Sequence, residues 1–285
     1  MARRQFHVQT ELHKYRISVT YETFNDTDEA NDNDVVFPES IQSVTDPSAM
    51  LVVNIGGPQR SCGTALVYIV DKKAVLQSIL YDTVCSLDPK LEKRSGTQDL
   101  VRTLLSFVSN EYGISKFELT DNGYIECKGK PDISLSDILY IRDGRTWYEK
   151  HFDAKPENYK EVARLKAGID KALNETMTFR SFIRKYDIKV DDIDFADEYD
   201  PTKTIGDFVR SLNLRYGCES VTKWLPSVLG RKALFGCNWK INYKTPFKYT
   251  IIKRNVGGKA KQKGVRYAQL GGTRSYVFAK YEHDF

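Results

Sequence analysis

The stretch QDLVRTLLSFVSNEY, residues 98–112, decides how the rest of the chain is read. Leu100, Val101, Leu104, Leu105 and Val108 recur at i, i+1, i+4, i+5 and i+8, the stripe of an amphipathic helix laid on a sheet. Gly113 closes the helix at a position suited to a left-handed backbone, and Ser95 or Thr97 supplies an N-terminal cap. Upstream, residues 62–70 and 73–81 are two apolar runs about the turn Asp71-Lys72, the pattern of a hairpin. Downstream, residues 115–120 alternate as a strand. Strand, helix and strand in succession imply a parallel pair joined by a right-handed crossover.

Working outward, Tyr15, Ile17, Val19 and Tyr21 alternate as one face of a half-buried strand. Residues 49–55 read as a buried strand stopped by Gly56-Gly57-Pro58, and the Asn/Asp-rich residues 25–34 as a loop. From Pro156 the character changes. Residues 159–174 carry Val162, Leu165, Ile169 and Leu173 at helical spacing. Shorter helices at 179–186 and 205–212 flank an acidic loop at 191–200, and a helix at 218–229 is interrupted by Pro226. Residues 235–249 and 276–281 read as strands, with a Gly/Lys-rich loop at 253–263 between them. The expected fold is α+β: a mixed sheet with a crossover helix over residues 1–156, then a helical and β-rich basic extension over 157–285.

Composition narrows the function classes. With 285 residues the chain can bury two cores, and its 41% hydrophobic and 28% charged content is that of a globular protein. No apolar run reaches the ~18–20 residues of a membrane span, and the start Met-Ala-Arg-Arg-Gln-Phe-His-Val has no apolar run behind its arginines. The expected setting is therefore not secreted. Cys62, Cys85, Cys127, Cys218 and Cys237 are scattered, form no C-x-x-C pair, and are expected to be reduced thiols with no metal site. The net charge of +5 hides an asymmetry. Residues 17–59 contain no Lys or Arg, while residues 240–285 hold eleven basic residues against Glu282 and Asp284. Such a division suits partner-directed packing as well as a solvated surface.

The order of elements resembles the GCN5-related N-acetyltransferase (GNAT) fold. There, antiparallel strands lead into a strand, a pyrophosphate loop, a helix, a strand, and a short helix carrying "LYEKLGF". The matching residues are Leu87-Asp88-Pro89, the helix at 98–112, Gly113–Thr120 and Trp147-Tyr148-Glu149-Lys150-His151-Phe152. The resemblance implies acetyl-CoA held by backbone N–H groups of a Q/R-x-x-G-x-G/A loop at a helix start, here Lys93, Arg94, Ser95, Gly96, Thr97 and Gln98. It also implies Tyr148 as the acid that protonates the leaving thiolate. This chain keeps Gly96 but has Lys93 in place of Gln or Arg, and Gln98 in place of a second Gly or Ala. Glu118 and Asp121 lie at a strand end where a base could sit; a solvated carboxylate is the alternative. Residues 142–156 also resemble a "GKTWYEKHFGAKP" segment of uncharacterised proteins of large eukaryotic DNA viruses.

The departures at 93 and 98 favour a non-catalytic reading. The chain is then a structural or assembly protein, a minor capsid or virion component, built on an acyltransferase-like scaffold, binding other protein subunits and no cofactor. It would be found in the virion or host cytoplasm. An alternative is a CoA-dependent N-acetyltransferase with acetyl-CoA bound and Tyr148 as acid. A second alternative is a nucleic-acid-binding protein. Partner or nucleic-acid contact is assigned to Lys253, Arg254, Lys259, Lys261, Lys263 and Arg266.

Overall fold

The structure, a computed structural model, describes residues 2–23, 37–38, 40–80, 84–88, 95–125, 133–173, 178–187, 202, 204, 206–207, 225–230, 233–244, 247–256 and 280–281. The chain divides into two compact units, Met1–Thr120 with Lys240–Val277, and Asp121–Trp239 with Phe278–Phe285. The divisions fall within or beside two strands, β6 (Lys116–Asp121) and β10 (Cys237–Asn242).

The first unit opens with β1 (Ala2–Gln9), β2 (Lys14–Thr23), β3 (Ala49–Gly56), β4 (Ser61–Tyr68) and β5 (Lys73–Ile79). These pair antiparallel in sequence order. The helix α1 (Ser95–Tyr112) then crosses to β6, which runs parallel to β5. A late strand, β11 (Thr250–Val256), returns antiparallel onto β1. Within this unit the mixed, open sheet runs β11-β1-β2-β3-β4-β5-β6, and in the second unit β9 (Lys155–Pro156) lies beside β10.

The helix sits on this sheet for the reason the sequence suggests. Leu100, Val101, Leu104, Leu105, Phe107 and Val108 have no exposure, nor do Val8, Tyr15, Ile17, Val19, Leu51, Val53 and Ile55 on the strands. Each such aliphatic or aromatic side chain contributes roughly 1.5–3 kcal/mol by leaving water. Gly63 lets the helix approach β4: a Cβ there would come within 2.9 Å of Ile55 Cγ2 and 3.1 Å of Leu100 Cδ2. The turn between β4 and β5 places Lys72 at φ 49, as a tight hairpin requires.

The second unit contains β7 (Tyr124–Ile125) and β8 (Ile133–Ser134), paired antiparallel, with β12 (Lys280–Tyr281) parallel to β7. Its helices are α2 (Leu135–Asp143), α3 (Trp147–Phe152), α4 (Tyr159–Leu173), α5 (Phe179–Tyr186) and α6 (Leu225–Leu229). Thr146 caps α3 in a full capping box with Glu149, and Asp153 closes it in the left-handed region.

Several expectations are corrected. Helix α1 begins at Ser95, so Ser95 and Thr97 are its first turn and not caps outside it. Residues 253–256, expected in a loop, belong to β11, because pairing with β1 satisfies their backbone whatever their side chains. The five thiols are not all reduced: Cys62 and Cys85 form a disulfide, while Cys237 is free. The bridge forms because residues 84–88 lie against the β3–β4 turn. A Cβ on Gly57 would overlap the Val84 carbonyl, and Leu87 N–H donates to Lys14 O at 2.7 Å. Cys127, Cys218, the loops expected at 25–34 and 191–200, the helix expected at 205–212 except its residues 206–207, and most of that expected at 218–229 lie outside the described residues. So does all but Lys280 and Tyr281 of the strand expected at 276–281. Among the described residues no helix is long and apolar enough to cross a membrane.

Candidate functional site

In the first unit the expected cofactor loop becomes the start of α1. Lys93 and Arg94 lie outside the described residues. Gly96 is buried, Gln98 is half-buried, and Thr97 is 3% exposed. One turn on, Asp99 is buried, and its Oδ2 accepts from Tyr15 OH at 2.7 Å and from Thr10 Oγ1 at 2.9 Å. Thr10 Oγ1 accepts from the Leu12 and His13 N–H groups and also lies 3.1 Å from His13 O. Its single proton serves either that carbonyl or Asp99. The β1–β2 turn is thereby tied to the helix start through one carboxylate.

Burial pushes the Asp99 carboxyl above the usual carboxylate range, opposed by the bonds from Tyr15 and Thr10 and by the nearby His13 and Arg102. Burial also raises the Tyr15 phenol, with Asp99 adding to it. Among the described residues Asp99 Oδ1, Thr97 Oγ1 and His13 Nε2 are buried without a hydrogen-bond partner. The helix therefore meets its own N-terminal field with a carboxylate from its own second turn.

In the second unit Tyr148 is 3% exposed in α3, its ring 5.0 Å from Trp147 and 6.4 Å from Phe152 between centroids. Trp147 also meets Phe152 at 5.2 Å and His151 at 5.4 Å. The corner is an aromatic hub. Beside it lies a charged cluster that the sequence reading touched only at Asp121. Glu149 accepts from Thr146 N–H at 2.9 Å and from Lys166 Nζ at 2.6 Å. The Lys166 ammonium is 5.0 Å from the Tyr140 ring and 5.8 Å from the Trp239 ring. Tyr140 OH donates to Asp170 at 2.8 Å, and Asp137 accepts from Leu234 N–H at 2.6 Å.

Asp121 is the most perturbed of these carboxylates. Burial, with the charges of Asp137 and Glu149 adding to it, pushes its pKa up to about 7 against one opposing bond from Gly123 N–H at 3.2 Å. Burial and the carboxylates Glu161, Asp121 and Asp137 push the Cys237 thiol up to about 11, so it is not a nucleophile near neutral pH. Asp121 can hold or release a proton near neutrality, the property of a general acid or base. Glu118, the other expected base, is half-exposed and paired with Lys73 at 3.6 Å.

The remaining expected contacts are less gathered. Lys253 and Arg254 lie on β11, both exposed. Arg254 pairs with Glu111 at 3.6 Å and has its guanidinium 5.8 Å from the Phe6 ring. Lys259, Lys261, Lys263 and Arg266 lie outside the described residues. Tyr148 and Ser95–Gln98 belong to different units and are described in each alone. Among the described residues no group of three or more His, Cys, Asp or Glu could hold a metal ion.

Two sequence signals pointed to the missed residues. Asp99, Thr103 and Ser106 recur at i, i+4 and i+7 as a polar stripe beside the apolar one, and all three are buried. Ser134-Leu135-Ser136-Asp137 is a cap pattern ahead of an apolar run, and Ser134 Oγ accepts the Asp137 N–H in α2. Comparison with family models, with curated proteins and with solved structures gives no match, so the reading of function rests on the chain's own geometry.

Proposed function

We propose that this protein is a non-catalytic structural or assembly protein, built on an acyltransferase-like scaffold and acting through contacts with other protein subunits. The observation that carries the reading is the first turn of α1. An acyltransferase would hold a pyrophosphate on the N–H groups of that turn. Here Gly96, Thr97 and Asp99 are buried, and Asp99 is held by Tyr15 and Thr10. The start of the helix is thus already filled by a buried carboxyl group of the chain's own second turn, held by two hydroxyls, where an acyltransferase leaves the N–H groups to its ligand.

The outer strand β11 supports the assembly half of the reading. It is the terminal strand of the sheet among the described strands, and such an edge offers backbone N–H and C=O groups to a further chain. A register shift opposite His7/Val8 leaves Ile252 unpaired and 49% exposed beside Lys253 and Arg254. Bulge and cations together discourage indiscriminate pairing and select a partner strand with acidic neighbours. In the viral setting that residues 142–156 resemble, mass spectrometry of purified particles tests the reading. A fixed copy number relative to the major shell protein supports it; absence from the particles ends it.

A CoA-dependent N-acyltransferase with Tyr148 as acid is the second reading. It is favoured by the order β5, α1, β6, with β5 and β6 parallel, which the acyltransferase resemblance implies, although β7, β8 and α2 come between β6 and α3.

A further inference from the structure

The sheet of the first unit has two unlike faces. On one, Phe6, Ile17, Ile55 and Gly63 stand opposite one another across β1 to β4, under Leu100 and Leu104 of α1. Side chains alternate along a strand, so the neighbouring residues in each strand point to the other face. There the register sets Lys253 opposite His7 and His7 opposite Arg16, while Asn255 stands opposite Gln5 and Gln5 opposite Ser18. Arg3 stands opposite Thr20 in the row beyond. Arg3, Lys253 and Asn255 are exposed, and Gln5, His7 and Arg16 are half-buried.

Among the described residues the cations Arg3, Arg16 and Lys253 of this face make no ion pair, and the carboxylate that shares the face, Glu22, lies beyond the Arg3 row and not between Arg3 and Arg16. Burial, and after it the positive charge of Arg3, pull the Arg16 pKa below its ordinary value. Two guanidiniums thus act on each other with no carboxylate between them, an arrangement that costs free energy unless an anion joins them. Guanidinium forks match phosphate oxygens in pairs, and Gln5 and Asn255 add hydrogen-bonding groups between them, while Ser18 and Thr20 on β2 are buried beneath.

We infer that the β11-β1-β2 corner of this sheet face, through its exposed Arg3 and Lys253 and half-exposed Arg16, binds the sugar–phosphate backbone of a single-stranded nucleic acid. The charges spread over three strands, about 10 Å across, and over the five residues from Arg3 to His7 of β1, about 13 Å along it. Such a strip suits a chain of repeated charges more than one compact anion. A broad sheet face does not enter a duplex groove, which admits a helix or a two-stranded ribbon. The rows between the cations hold polar side chains, so they offer a bilayer no apolar anchor. This site shares Lys253 with the edge strand β11 but uses its side chains and not its free backbone groups, so it does not rest on the assembly reading. It differs from the basic loop that composition alone suggests, because Arg3, His7 and Arg16 come from the N-terminal hairpin.

The test is fluorescence anisotropy of the full chain with a labelled 20-nucleotide oligothymidylate. Binding is expected to weaken with salt at a log–log slope of about −2, from three cations at about −0.7 per phosphate neutralised. R3Q/R16Q should weaken binding about tenfold or more at low salt and flatten the slope by about 1.4, whereas R3K/R16K should stay within a few-fold of wild type. Should R3Q/R16Q melt differently, K253Q alone on the exposed edge strand must flatten the slope by about 0.7. Absence of binding at 50 mM salt (~50 mM being the permissive end of such titrations) overturns the inference. So does binding indifferent to these substitutions, or a preference for phosphatidylserine vesicles over the oligonucleotide at equal anionic charge.

Discussion

Replacing Asp121 by Asn probes the buried acid cluster of the second unit. Asp121 is 3% exposed, and its pKa stands at about 7 against an ordinary 3.8. The folded state therefore keeps this proton to a higher pH than the unfolded chain does. The group's contribution is fully present below about pH 4 and is lost as pH rises through about 7. At about 1.4 kcal/mol per pH unit, the loss by pH 8 is about 4 kcal/mol. Asn keeps an Oδ1 to accept the Gly123 N–H and carries no titrating proton. Any fixed cost of its amide is the same at every pH, so the difference between wild type and D121N isolates the titration. Trp147, Trp224 and Trp239 all lie within residues 121–239, so tryptophan fluorescence in urea reads the unit that contains Asp121. Wild type minus D121N should fall by about 4 kcal/mol between pH 4 and pH 8. A difference that is flat with pH, or that rises, would refute the assignment of burial as the dominant effect on Asp121.

Two further perturbations test what holds each unit together. The Cys62–Cys85 bridge closes a loop of sequence separation 23, so C62A/C85A should lower unfolding free energy by about 3 kcal/mol in non-reducing urea titrations. A change under 1 kcal/mol (about a third of that figure) would mean that residues 84–88 are held by their hydrogen bonds alone. In the second unit T146A removes the N-cap of α3 and leaves the Glu149 N–H without its acceptor. It should cost about 1–2 kcal/mol, read by the same titration; an unchanged midpoint would mean that the aromatic hub fixes α3 without its cap.

The legible parts of the fold were those with a strong period. The apolar stripe of α1 and the runs of β4 and β5 showed plainly because each buries one continuous face. Strand β1 was not separated from its neighbour, since Arg3, Arg4, Gln5 and His7 surround only two core residues, Phe6 and Val8, and pairing on both sides makes it a strand. Strand β11 was obscured in the same way by Lys253, Arg254 and Asn255. The disulfide left no mark in cysteine spacing, because the fold, not the local sequence, brings residues 84–88 to the start of β4. At the helix start, Ser-Gly-Thr read as a cap and loop, yet Thr97 stands four residues before Val101 and shares its buried face. Asp99 was hidden between the apolar positions, and only the contact with Tyr15 from β2 reveals its role.

The account turns on the start of α1, where Asp99 meets the helix end that an acyltransferase would give to its cofactor. Isothermal titration of the full chain with acetyl-CoA tests this most directly. The account predicts no saturable heat up to millimolar ligand, for wild type and for Gly96→Glu alike. Micromolar binding by wild type that Gly96→Glu abolishes would contradict it and restore Ser95, Gly96, Thr97 and Gln98 as a cofactor site.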